Sequence, residues 1–168
     1  MIRIVIQFLI LFFLQVLVIN NLELSFYINP YIFPLFILSL PLKTSRPALL
    51  FIAFGSGLLM DFFCNSGGMH AAALTWLAYM RPYIYQSLSP RSNIDMDEIL
   101  HVKAMGLSSF FYYSIILLFL HHFLFFFLEA FSFSNFFLTL FKVILSTAVT
   151  TILIVILAIF FAPQKSRN

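Results

Sequence analysis

Of the 168 residues, 62% are hydrophobic and only 9% are charged, with a net charge of +3. A soluble domain carries roughly 25% charged residues, so this balance belongs to an integral membrane protein. The basic residues are spread along the chain rather than clustered, which argues against nucleic-acid binding and makes the charge a topology signal. One membrane domain spanning residues 1–168 accounts for the whole length and leaves no room for a soluble catalytic domain.

A membrane-spanning helix needs about 20 mostly apolar residues. The first span is expected at about Ile2 to Ile19, interrupted only by Arg3, Gln7 and Gln15. The two glutamines lie about two turns apart, roughly on one face, where they would meet another helix. The segment ends in Ile19-Asn20-Asn21-Leu22-Glu23 without a small-x-small cleavage site, so it is expected to remain as an anchor. After an outer loop comes a short second span, about Pro30 to Leu42, carrying Pro30, Pro34 and Pro41. Proline removes a backbone donor, so this span is expected to be bent or partly unwound.

Spans three and four, about Ala48 to Phe63 and Met69 to Leu88, form a hairpin around Asn65-Ser66-Gly67-Gly68. A Gly-rich break between apolar runs marks a reversal, and it sets Asp61 opposite His70. Ala53, Gly57 and Asp61 recur every four residues and share one face, and Gly68, Ala71, Ala72, Thr75 and Ala78 give the return helix small-residue sides. Small residues let helices approach closely in lipid, so the acid points into the bundle. Two readings of Asp61 stand: a functional intramembrane acid, or one that caps or pins the hairpin through His70 or the turn amides.

Tyr79-Met80-Arg81-Pro82-Tyr83-Ile84-Tyr85 then reads as a cytoplasmic interfacial belt. Asp95 and Glu98 have the spacing of a capping box. Met96, Ile99, Leu100 and Lys103 follow at helical spacing, so a short amphipathic connector is expected there. The fifth span, about 105–128, carries His121 and His122 near its outer end. His122 and Glu129 are separated by roughly 10 Å along a helix axis, too far to share a metal. The sixth span, about 135–162, includes Lys142, expected to snorkel outward. The 24 phenylalanines, scattered through every apolar segment, read as lipid-facing bulk.

With six spans and both termini cytoplasmic, Arg3, Lys43, Arg46, Arg81, Arg91, Lys103, Lys165 and Arg167 all lie inside, and only Lys142 lies outside. The fold class is therefore an all-α integral membrane protein with six transmembrane helices. Cys64 is the only cysteine, which excludes an internal disulfide and a cysteine metal cluster. No nucleophile elbow, Walker loop or zincin motif is present, and Gly55-Ser56-Gly57 lacks the lysine of a phosphate loop. An enzyme is not expected, nor any cofactor or metal.

Several stretches together resemble the rod shape-determining protein MreD family. They are Asn29-Pro30-Tyr31-Ile32-Phe33-Pro34-Leu35-Phe36, Leu40-Pro41, Ala53-Phe54-Gly55-x-Gly57-Leu58-x-x-Asp61, Gly68-Met69-His70-Ala71-Ala72-Ala73 and Tyr79-Met80-Arg81-Pro82. The match covers about Asn29 to Pro82. The resemblance implies a non-enzymatic component of the cell-wall elongation machinery in the bacterial inner membrane. Its expected partner is MreC, which has one membrane helix, and through it the MreB filament, RodA and its transpeptidase. The residues it singles out for partner binding or hairpin structure are Gly55, Gly57, Asp61, Gly68, His70 and Arg81. The family fold is similar to that of the substrate-binding subunits (S-components) of energy-coupling-factor vitamin transporters, which makes such a subunit the rival function. Those subunits show Ala-x-x-x-Ala spacing in their first span, whereas this one holds no alanine.

Overall fold

A computed structural model describes residues 2–22, 27–88, 102–131 and 135–161, with the side chains of residues 103, 104 and 161 excepted. The amphipathic connector expected around Met96, Ile99, Leu100 and Lys103, with Asp95 and Glu98, lies outside the described residues and side chains. So do Glu23, Arg91 and the basic C-terminal residues.

The described chain is almost entirely helical. Helix α1 (Ile2–Phe13) runs on without a break through a π-helical turn, Leu14–Val18, and a 3₁₀ turn, Ile19–Asn21. Six more helices follow: α2 (Pro34–Ser39), α3 (Arg46–Cys64), α4 (Met69–Leu88), α5 (Val102–Met105), α6 (Leu107–Ala130) and α7 (Phe136–Phe161). Four stretches are long and apolar enough to cross a membrane: Ile2–Asn21, Arg46–Cys64, Leu107–Ala130 and Phe136–Phe160. The chain is a helical membrane protein on that ground. Helix α4 matches them in length with 20 residues, but Thr75, Arg81 and Gln86 dilute its apolar character.

Helix α4 is the centre of the packing, with α3 on one side and α6 on the other, and α7 packs against α6. The short α2 touches both α1 and α4. All six of its residues are buried, although a helix so short cannot cross a bilayer by itself. Its prolines do not kink a continuous helix. Pro34 occupies the first turn, where its missing N–H has no intrahelical partner to lose. Pro30 lies in the extended approach, and Pro41 follows the last helical turn. The result is a helix of about 9 Å with non-helical arms.

The phenylalanines divide between two environments. Phe51, Phe62, Phe137 and Phe160 are strongly exposed, as expected for lipid-facing bulk. Phe33, Phe110, Phe125 and Phe126 are instead fully packed in the interior. An aromatic ring fills a wide gap between helices as readily as it faces lipid, and periodicity over so apolar a chain does not separate the two uses.

Candidate functional site

The α3–α4 turn is built from backbone requirements. Helix α3 closes on Asn65 in the left-handed region (φ 52°, ψ 42°), and the Asn65 and Ser66 amides both donate to the Asp61 carbonyl. Gly67 and Gly68 follow at φ +60° and +94°, a region costly for side-chain-bearing residues. The Gly68 carbonyl accepts the first helical bond of α4, from the Ala72 amide at 3.0 Å. Gly68 thus stands at the N-cap position, where it has no side chain to satisfy the free amides of the first turn.

Asp61 supplies that cap from across the turn. The His70 amide donates to its Oδ1 at 2.9 Å and the Ala71 amide to its Oδ2 at 2.9 Å. The Ser66 hydroxyl donates to Oδ1 at 2.6 Å. The Ser66 oxygen is then free to accept from His70 Nδ1, 2.7 Å away, while Nδ1 also lies 3.2 Å from Oδ1. When His70 carries one ring proton, these partners place it on Nδ1 and leave Nε2 as a lone pair. A carboxylate at a helix N-terminus also meets the positive end of the helix dipole. Both oxygens of Asp61 accept bonds that hold the first turn of α4, the geometry that the capping reading requires.

Gly57 lets the cap reach. A Cβ there would sit 2.4 Å from Ala71 Cα and 2.7 Å from Ala71 N. The first turn of α4 therefore rests directly on the backbone of α3, one turn before Asp61. Gly55 does not share this role: it faces outward, with nothing within 4 Å of a Cβ placed on it. Residues two apart on a helix point to different sides, so Gly55 does not join Gly57 at the hairpin interface.

A second polar framework holds the broken segment around α2. Gln15, buried in the π turn, accepts from the Ile32 and Phe33 amides at 2.7 and 3.3 Å, and donates to the Pro30 carbonyl at 3.3 Å. From α7, Ser146 accepts from the Asn29 amide and Thr150 from the Tyr31 amide, each at 3.1 Å. At the other end, Arg81 donates to the Leu40 carbonyl and, at 3.0 Å, to the Tyr113 hydroxyl. Tyr113 in turn donates to the Leu38 carbonyl at 3.0 Å. Gln7 bonds the Ser39 hydroxyl at 2.8 Å. Non-helical backbone survives at membrane depth only where such partners satisfy it.

Expected in an interfacial belt, the Arg81 side chain is instead 3% exposed and turned into the bundle. The unsatisfied carbonyls at the end of α2 draw the guanidinium inward, since it offers several donors in a fixed fork. Arg46 at the same end keeps a surface position, with its guanidinium 5.3 Å from the Tyr83 ring.

Beside the turn opens a cavity of about 500 Å³, walled by His70, Tyr31, Asn20, Asn29, Asn65 and Glu129 among others. Tyr31 links the two frameworks, because its ring lies against His70, His121 and His122, with centroids 5.3–6.1 Å apart. His122 donates from Nδ1 to the Leu118 carbonyl at 2.8 Å, and its Nε2 lies 3.4 Å from the Thr150 hydroxyl. His121 and His70 Nε2 are buried without partners among the described residues. Among the described residues no three His, Cys, Asp or Glu side chains are placed to hold a metal ion. Lys142 pairs with Glu129 at 2.6 Å and lies over the Phe126 ring.

Of the residues singled out by sequence, Gly57, Asp61, Gly68 and His70 converge at one turn. Pro30, Pro34 and Pro41 frame α2, and Arg81 serves its far end. Tyr113 and Ser66 were not anticipated. A tyrosine deep in an apolar span, facing a segment broken by prolines, was the available signal for Tyr113. Compared with known proteins, the chain matches no protein family, no curated protein and no solved structure.

Proposed function

We propose that this protein is a non-enzymatic scaffold of the cell-wall elongation complex in the bacterial inner membrane. In this reading it is an MreD-type protein that binds the membrane helix of an MreC-like partner, and through it meets the MreB filament, RodA and the transpeptidase. The polypeptide crosses six times, with the α2 segment and α4 completing the four long apolar helices. Both termini are cytoplasmic and the α3–α4 turn faces outward.

The observation that carries this reading is the use made of the polar groups within the resembling stretch. Asp61 holds amides of α4, and Arg81 holds the Leu40 carbonyl of the α2 segment. Such groups preserve a shape, and a preserved shape is what a partner helix recognises.

Mild detergent extraction of the tagged protein from its own membranes tests this. Recovery of an MreC-like single-span protein with wall-synthesis enzymes is expected, and Asp61→Leu should reduce that recovery. Unchanged partner recovery and normal cell shape in the variant would sink the role given to the hairpin. The cavity of about 500 Å³ favours one second reading, the substrate-binding subunit of an energy-coupling-factor transporter. Recovery of a coupling subunit with ATPases would establish that function instead.

A further inference from the structure

We propose that the cavity beside the α3–α4 turn is a binding site for a neutral saccharide. Its volume of about 500 Å³ falls in the range of small-molecule sites. Four asparagines, Asn20, Asn21, Asn29 and Asn65, contribute to its wall, and no lysine or arginine is among the described lining residues. An anion would meet no cationic anchor there. The single carboxylate, Glu129, is already matched by Lys142 at 2.6 Å, so the wall does not favour a free cation either. What remains is amide and hydroxyl chemistry: Asn20 already donates to Cys64 Sγ and Asn21 to the Val16 and Leu17 carbonyls, which leaves the Asn21 oxygen and the Asn65 carboxamide to meet neighbouring hydroxyl groups.

Two further features favour a sugar ring over a simple polar molecule. Tyr31 and Phe63 also line the cavity, and aromatic faces suit the C–H face of a pyranose, which is apolar while its edge is polar. His70 forms part of the same wall, and its Nε2 is buried without a partner among the described residues. Because Nδ1 is held by Ser66 and Asp61, Nε2 in the neutral ring is an acceptor. Tyr31 and Phe125 pack on that imidazole at 5.3 and 4.6 Å, fixing its orientation.

The saccharide could arrive free in solution or as the head of a glycolipid, and one experiment separates these sources. The full chain is placed in nanodiscs and examined by saturation-transfer NMR with N,N′-diacetylchitobiose and with maltose. A parallel preparation contains monoglucosyl diacylglycerol, whose enrichment over phospholipid is read by mass spectrometry after purification. Transfer to a disaccharide assigns a soluble sugar, and enrichment of the glycolipid alone assigns a lipid-borne one. Asn65→Gly keeps the left-handed backbone and removes the amide, so binding should weaken about 2- to 10-fold with the thermal transition preserved. Phe63→Leu should weaken it in the same way. Neither transfer nor enrichment, or binding unchanged in both variants, overturns the proposal. The site stands on the cavity and not on the scaffold reading, since partner recovery from membranes is a separate measurement.

Discussion

The α3–α4 hairpin and the α2 segment solve the same problem by opposite means. Each contains a helix end with buried backbone groups that have no intrahelical partner. The hairpin satisfies them from nearby: Asp61 reaches amides only 9 and 10 residues away. The α2 segment is served by side chains 15 to 119 residues distant, on α1 and its π turn, α4, α6 and α7. A local cap forms as soon as two neighbouring helices meet. The remote framework exists only when the whole bundle has assembled, so α2 is expected to be the last element to order.

The most damaging way to break the hairpin is to deny α4 its contact with α3. Gly57→Val places a Cβ 2.4 Å from Ala71 Cα, and backbone on both sides cannot yield. A loss of about 3 kcal/mol or more is expected, read as failed folding or a collapsed thermal transition in detergent. Gly55→Val, two residues earlier, meets nothing and should stay within about 0.5 kcal/mol. Equal damage from the two would show that glycine content, not the approach of α4, sets the requirement.

The corresponding break at α2 is Arg81→Met, which preserves bulk but leaves the Leu40 carbonyl without this donor. A cost of about 1–3 kcal/mol follows from one buried group unsatisfied. Lysine should not restore it, because a single ammonium cannot span Leu40 and the Tyr113 hydroxyl as the guanidinium fork does. Thermal unfolding of the two variants decides the matter. Full rescue by lysine would mean that charge at this depth, rather than the fork, is what the segment needs.

The contrast in reach also explains what could be read from sequence. Gly57, Asp61, Gly68 and His70 fall within one apolar hairpin, and helical spacing with a Gly-rich turn was enough to oppose the acid and the histidine. That Asp61 caps α4 was not legible, because a cap is defined by amide positions that no spacing rule supplies. The burial of the Arg81 side chain was hidden for a related reason. Beside Tyr79, Tyr83 and Tyr85 it has the pattern of an interfacial belt, and only the carbonyl end of α2 turns it inward. Gln15 announced that it would meet another helix, yet its partners, the amides of Ile32 and Phe33, are backbone groups exposed by a break whose form the prolines alone did not fix.

The smallest expected effect asks whether the two frameworks are separate. Asp61→Asn keeps the shape of the cap but leaves one accepting oxygen where there were two, so one amide bond is lost and the other weakened, and Gln15→Leu strips three bonds from the approach to α2. The two side chains share no hydrogen-bond partner among the described residues, so their effects on the thermal transition should add within about 0.5 kcal/mol. The route by which they could fail to add is visible. The Tyr31 amide is anchored with the α2 framework through Thr150, while its ring lies 5.3 Å from the imidazole that Asp61 orients. Coupling above that threshold would make Tyr31 the joint of a single unit, and Tyr31→Ala should then abolish it. Additivity would instead leave the hairpin free to form before α2 is in place, as its short-range bonds require.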